Sequence, residues 1–219
     1  TVTCPNCTNG QGVTLVFTSN LPPSELYRNG LQRQRFLPAI ALIEQHCEVI
    51  NVDAGEDYRL RQLEKAPLYL DAASPATPAA LASRFADLTD SQGPAPGTVR
   101  VEGRDIPFLA RADEVIWFDF ANLCDGPRSQ GDYVELAREF HTVLLGDVPR
   151  MDATQDDAAR RFIALVDEFY DRGVKLVIAA HAPIDGLYAG ERLAFEFERT
   201  RSRLTEMQTH DYLARPHRP

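Results

Sequence analysis

GVTLVFTSNLPPSELYRNGLQRQRF, Gly12 to Phe36, is the stretch whose reading decides the fold. It opens on Val13-Thr14-Leu15-Val16-Phe17, a run rich in β-branched and aromatic side chains that follows Gly10 and Gly12. A short continuous apolar run of this kind suits a strand covered on both faces, as inside a parallel sheet. Thr18-Ser19-Asn20 interrupts it, and Pro22-Pro23 blocks continuation as strand or helix. Asn20 then falls just past the strand's carboxyl end, where open α/β sheets carry their ligand crevice. Ser24 is placed to cap a short helix over Glu25-Leu26-Tyr27-Arg28 that Asn29-Gly30 ends. A second helix follows, with Arg33 and Arg35 near its start. An amide at a strand tip, followed one helix later by arginines, is an arrangement used in phosphoryl transfer: the amide orients a water against the γ-phosphate and a guanidinium neutralises developing charge. The same residues suit a turn cap and two solvated cations, and spacing alone favours that plainer account.

Outward from this stretch the chain alternates strands and helices. Leu31 to Cys47 has the pattern of an amphipathic helix bent or restarted at Pro38, and Cys47 to Asp53 alternates like a strand pairing beside the first. Arg59 and Arg61 read as a solvated pair, and Pro67 to Leu70 as a further strand. Ala73 to Gly97, with a helix over Ala79 to Leu88 and a loop from Ser91 to Gly97, reads as the start of an insertion. Thr98–Glu102 and Asp105–Leu109, flanking Gly103-Arg104, form a hairpin pattern, and Val115 to Phe120 adds a third strand. A helix over Asp132 to Phe140, capped by Asp132, leads into a buried strand from His141 to Leu145. Thr154 to Asp171 is a helix capped by Thr154, with Asp156 and Asp157 in its first turn and Phe162, Leu165, Val166, Phe169 and Tyr170 on one face. Gly173 ends it, Val174 to Ile178 is a second buried strand, and a last helix runs from Ala194 to Tyr212 before a frayed tail, Arg215 to Pro219. Asp119 and Asp147 each follow an apolar strand, as an acid does in a Walker B motif, but a turn explains both and neither receives a catalytic role. His141 reads as a junction residue rather than a ligand.

GVKLVIAAHAPIDGLY, Gly173 to Tyr188, lies on Gly12 to Tyr27 without a gap and with seven identities, at Gly12, Val13, Leu15, Val16, Pro22, Leu26 and Tyr27. In that register His181 takes the place of Asn20, and each copy is followed by an arginine-bearing helix, the second carrying Arg199, Arg201 and Arg203. Convergence on a strand, a turn and a cap accounts for the match; so does duplication of a strand–turn–helix unit.

Apolar residues make up 44% of the 219 and charged residues 25%, an ordinary globular balance with length enough for one or two cored domains. The net charge of −9 argues against a general nucleic-acid surface. No apolar run approaches the roughly 20 residues that span a bilayer, and no signal-peptide pattern opens the chain, so a cytosolic location is expected. Cys4-Pro-Asn-Cys7 has zinc-ribbon or redox spacing, yet a second ligand pair is missing: Cys47, Cys124 and the five histidines form no CxxC or HxxxH. No metal site is therefore assigned, and a zinc or redox protein is the least favoured reading.

TSNLPPSELYRNGLQRQRFLPAI resembles the sensor-1 and arginine-finger region of the ZapE-type cell-division ATPases, the bacterial branch of the AFG-like AAA+ proteins. NVDAGEDYRLR, RSQGDYVELAREFHTVLLGDVP, ARRFIALVDEFYDRGVKLV and FEFERTRSRLTEMQ are similar to further family stretches, so the resemblance runs from Gly12 to Tyr212. It stops short of TVTCPNCTNGQ, read as an atypical or disordered N-terminus over residues 1–11. The resemblance implies an α/β fold: the C-terminal strand–helix–strand part of a P-loop AAA+ core over 12–71, an insertion with a helix and a β-hairpin over 72–131, and a mixed α/β C-terminal region over 132–219 that ends in a long helix. It implies that Asn20 acts as sensor 1 and Arg33 as the finger inserted into a neighbouring subunit's site, with Arg35 as the spare. Arg199 and Arg203 become candidates for a nucleotide-facing or intersubunit role, against the plainer account of a salt-bridged helix face. ATP and Mg²⁺ are the implied cofactors, a head-to-tail homo-oligomer the implied assembly, and the tubulin-like division protein FtsZ, or another division protein, the implied partner. No stretch matches GxxxxGK[ST], and the family's Walker B Asp-Glu pair is missing, so the chain is expected to be the C-terminal part of a longer protein and inactive in ATP hydrolysis alone. A non-catalytic interaction module, using the acidic surface and the hairpin, is the alternative from another class.

Overall fold

A computed structural model describes residues 2–4, 15–17, 19, 22–26, 33–49, 58–89 and 95–219. The chain divides into two compact units, Thr1–Glu56 and Asp57–Pro219. In the first unit β1 (Val2–Cys4), part of the segment expected to lack order, pairs antiparallel with β2 (Leu15–Phe17). A 3₁₀ turn over Pro23–Glu25 follows, then α1 (Arg33–His46) and β3 (Glu48–Val49), which pairs with the other side of β1. The strand expected at Val13–Phe17 is there over its described part, but its partner is antiparallel and β1 separates it from β3. Apolar periodicity reports burial, not strand direction. The turn is a 3₁₀ element entered from Pro22 without a side-chain cap from Ser24, because proline already fixes the φ that the first turn needs. Pro38 sits inside α1 and does not restart it.

The second unit opens with α2 (Tyr58–Glu64), β4 (Tyr69–Asp71) and α3 (Thr77–Thr89). The hairpin β5 (Gly97–Val101) and β6 (Arg104–Phe108) comes next, then β7 (Ala110–Ala112), β8 (Val115–Asp119), α4 (Phe120–Cys124) and α5 (Gln130–Glu139). It closes with β9 (Thr142–Val148), α6 (Asp156–Arg172), β10 (Lys175–Ala180), α7 (Ala194–Glu206) and α8 (His210–Leu213). Five strands form one sheet in the order β4-β10-β9-β8-β7, parallel except for β7. The register sets Leu176 beside Val143 and Val143 beside Ile116. Alternate residues therefore enter two cores. Ile116, Phe118, Val143, Leu145, Leu176 and Ile178 pack with α4 to α7, among them Phe162, Val166 and Phe169 of α6. Val115, Trp117, Leu144, Val177 and Ala179 pack on the opposite face with Leu63, Leu81, Phe85 and Leu213. Burial on both faces is why these strands read as unbroken apolar runs.

Tyr69–Asp71, at the end of the stretch expected to belong to the preceding core, is the parallel neighbour of β10, with Tyr69 beside Ile178. The 72–131 stretch supplies β7, β8 and α3 to the central sheet and its second core, while its hairpin β5–β6 stands as a separate two-stranded sheet. That hairpin turns at Glu102-Gly103, one residue earlier than expected, with both residues at positive φ (47° and 77°) as a tight two-residue turn requires.

Helix ends also differ in detail. Ser129 caps α5, and Asp132 is the reciprocal partner of a capping box, its carboxylate accepting the Ser129 amide N–H at 2.6 Å. Asp152, not Thr154, caps the 3₁₀ turn leading into α6. The long C-terminal helix breaks at Met207–Thr209, where the Thr209 hydroxyl accepts the Tyr212 N–H and starts α8. The tail expected to fray is strapped down: the Arg218 N–H donates to the Arg172 carbonyl at 2.8 Å, and Lys175 Nζ donates to the Arg215 carbonyl at 2.7 Å. Lys175 begins a buried strand and needs acceptors, which the tail's carbonyls provide.

Gly173 joins α6 to β10 at φ 70°, and a Cβ there would lie 2.7 Å from the Pro216 carbonyl oxygen. Gly173→Ala should cost about 1–2 kcal/mol from the left-handed backbone alone, and more as the tail is displaced. Urea unfolding of the two proteins measures it; an unchanged midpoint would show that the strap carries no strain.

Candidate functional site

The candidate residues fall in both units. Asn20 lies outside the described residues. Arg33 and Arg35 occupy the first turn of α1, which contains no acidic side chain. Arg33 Nη2 donates to the Ser24 carbonyl at 2.9 Å, tying the start of α1 to the 3₁₀ turn, while its Nε has no hydrogen-bond partner. The amino end of a helix carries partial positive charge, so a cation in a first turn stands at the less favourable end.

Arg199 and Arg203 are differently situated. Asp167 on α6 accepts from both, from Arg203 Nη1 at 2.7 Å, and Asp171 takes the second Arg203 nitrogen at 3.2 Å. The Arg203 guanidinium also stacks over the Tyr170 ring, 4.7 Å from its centre. Arg201 pairs with Glu198 along its own helix. The charges on this face of α7 are answered within the chain, and Arg199 and Arg203 clamp α7 to α6.

A group not selected from sequence gathers at the carboxyl ends of the parallel strands. Asp71 ends β4, Asp119 ends β8, Asp147 lies near the end of β9 at φ 56°, and His181 follows β10. His181 Nε2 donates to Asp147 Oδ1 at 2.6 Å. Burial, and then the nearby Asp147 carboxylate, raise the Asp119 carboxyl above its ordinary range. Trp117 Nε1, buried without a partner, and Asp119 Oδ1 both approach the point where Gly146 would carry a Cβ, at 3.4 and 3.1 Å. The signal in the sequence was an acid after each apolar strand, which a turn explains equally well. Among the described residues no cluster of histidine, cysteine and carboxylate could hold a metal ion. Cys47 and Cys124 are buried free thiols, Cys124 with its pKa pushed up by burial. Cys7 lies outside the described residues. Among the described residues no helix is long and apolar enough to cross a membrane.

The family model of the AFG1-like ATPases matches residues 9–216. The chain belongs to that family. It is 50% identical over 207 residues to the cell division protein ZapE of Escherichia coli strain K12, covering 94% of this chain and 55% of the relative. Lactation elevated protein 1 homolog B of Danio rerio is 34% identical over 236 residues, covering 92% and 47%. Uncharacterized protein C115.02c of Schizosaccharomyces pombe is 32% identical over 235 residues, covering 94% and 52%. This AFG1-like chain thus spans about half the length of the curated relatives it matches. No solved structure matches it.

The raised Asp119 carboxyl has a consequence for stability. Its folded-state value lies above the unfolded one, so stability falls as pH rises between them. Asp119→Asn should therefore melt at a higher temperature than the parent at neutral pH, with the gap closing as pH drops below the ordinary carboxylate range. Thermal melts across that range decide; a gap that does not vary with pH would show that Asp119 is not the titrating group.

Proposed function

We propose that this chain is the C-terminal part of an AFG1-like AAA+ protein that hydrolyses ATP and acts in bacterial cell division. The reading is supported by the family match, which covers residues 9–216, and by the place of Arg33 and Arg35 in the first turn of α1. Asn20 serves as the sensor that orients the attacking water against the γ-phosphate. Arg33 reaches the neighbouring subunit's nucleotide as the arginine finger, and Arg35 supports it. The planar, delocalised guanidinium meets the transferring phosphoryl group in a way that an ammonium does not. Action between subunits requires a head-to-tail contact, hence a ring or a transient oligomer.

The phosphate loop with its lysine, the Walker B pair and the Mg²⁺ site belong to the longer protein, because nothing among these 219 residues matches GxxxxGK[ST]. Alone, the chain binds MgATP weakly and does not turn it over. The division role follows the name of the Escherichia coli relative, and FtsZ is the proposed partner by family resemblance.

In the longer protein, Arg33→Ala should lower kcat by about 10³–10⁵ while leaving nucleotide affinity within a few fold, and Arg33→Lys should not restore it. Steady-state hydrolysis beside equilibrium binding of a fluorescent ATP analogue separates the two effects. Undiminished turnover in Arg33→Ala would remove Arg33 from this role.

A further inference from the structure

We propose that the carboxyl edge of the five-stranded sheet binds a small hydroxyl-bearing molecule, a sugar or polyol, whose leading hydroxyl accepts the indole N–H of Trp117 and donates to the Asp119 carboxylate. The site lies within the Asp57–Pro219 unit and does not depend on the arginines of α1.

Trp117 and Asp119 stand two residues apart on β8, so their side chains leave the same face of the sheet, that of the second core. They lie at the edge where open α/β sheets carry their ligands. Trp117 is only 8% exposed, and its Nε1 is buried without a hydrogen-bond partner. A buried donor of this kind costs stability until an acceptor meets it. Asp119 is equally uncommitted. It occupies the N-cap position of α4 with extended backbone, φ −85° and ψ 150°, where aspartate is a preferred cap, yet its side chain makes no cap bond.

The Asp119 carboxylate lies over β9 instead. Asp119 pairs with Gly146 across the ladder, and its Oδ1 is 3.1 Å from the point where Gly146 would carry a Cβ. Trp117 Nε1 is 3.4 Å from that same point. Gly146 is not among the glycines at positive φ, so what it provides is room for these two side chains rather than an unusual backbone.

A donor and an acceptor that border one point are bridged by one atom able both to accept and to donate, and a hydroxyl oxygen is such an atom. An ammonium or guanidinium has no acceptor for the indole, and an amide divides the two roles between separate atoms. A phosphate or carboxylate anion has no hydrogen for Asp119 and is repelled by Asp119 and Asp147 together. Among the described residues no cluster could hold a metal ion here. Burial, and then Asp147, already disfavour the ionised Asp119, so a hydroxyl that donates to it returns part of the lost solvation. Beside it the Asp147 side chain is 75% exposed, and His181 takes one of its oxygens, leaving the other for an adjacent hydroxyl. The ligand reaches the indole when the Asp119 carboxylate turns toward the vacant cap of α4: one oxygen then caps the helix and the other accepts from the ligand.

Trp117 is the single tryptophan of the 219 residues, so its indole N–H gives one proton resonance that reports the site directly. The chain is titrated with D-ribose, with adenosine and with inorganic phosphate. Saturable displacement of the indole resonance by ribose and no response to phosphate are expected. Ribose at least as tight as adenosine identifies a free sugar as the ligand, whereas adenosine tighter by about tenfold identifies a nucleoside. In Asp119→Asn, which keeps the shape and loses the charge, affinity should fall about tenfold. Trp117→Phe, followed by calorimetry, should weaken binding to a similar degree. Absence of saturable displacement by ribose and by adenosine would overturn the proposal, leaving a trapped water only at the indole. An equal response to phosphate, or unchanged affinity in both variants, would overturn it as well.

Discussion

Burial of β8, β9 and β10 on both faces is the constraint from which the rest of the Asp57–Pro219 unit follows. All six residues of β10 are buried, and so is every residue of β9 except Asp147. A strand with no face left for water needs helices on both sides, and the two cores provide them. Each fully buried Val, Leu, Ile or Phe stabilises by about 1.5–3 kcal/mol, so the polar residues admitted to this layer must be satisfied where they enter. Thr142 lies 2.5 Å from His141 Nδ1, and Lys175 donates to the Tyr212 and Arg215 carbonyls. The C-terminal strap is thus a consequence of starting a buried strand with a lysine.

Charge is managed differently along α6, α7 and α1. α6 follows the helix dipole, with Asp156 and Asp157 in its first turn and Arg172 in its last. α7 spends two of its arginines on Asp167 and Asp171 of α6, and of these pairs Arg203–Asp167 is half-buried on both sides and therefore stronger than the usual surface pair. α1 reverses the rule, placing Arg33 and Arg35 at the end where cations are least favoured. Arg33 donates to the Ser24 carbonyl, which ties the start of α1 to the 3₁₀ turn.

The strands and helices of the second unit were legible because each carries its own periodicity: β8, β9 and β10 as apolar runs, α6 as a one-faced helix ended by glycine. What lay between elements was not. Leu15–Phe17 showed a strand but not that its neighbour would be Val2–Cys4, since pairing direction leaves no trace in one strand's sequence. Tyr69–Asp71 and the 72–131 stretch read as the end of one region and an insertion, because nothing local says that β4 lies beside β10. Ser129 and Asp132 both suit a cap, and only their reciprocal bond ranks them. The arginines were visible as residues; the carboxylates that hold Arg199 and Arg203 sit a helix away in sequence.

At the carboxyl edge of the sheet the strand tips are tied down by their own side chains. Between the pairs Ile178–Leu145 and Ala180–Val148, β9 carries one residue more than β10. The bulge leaves Asp147 at φ 56°, a conformation that aspartate tolerates better than most side chains. So held, its carboxylate reaches His181 across the strand pair. A side chain that orients a water against a phosphate must keep its polar atoms available, whereas one that bridges two strands has given them up. His181 has done the second, and Asp71, its carboxylate and carbonyl both engaged in the neighbouring turn, has done the same.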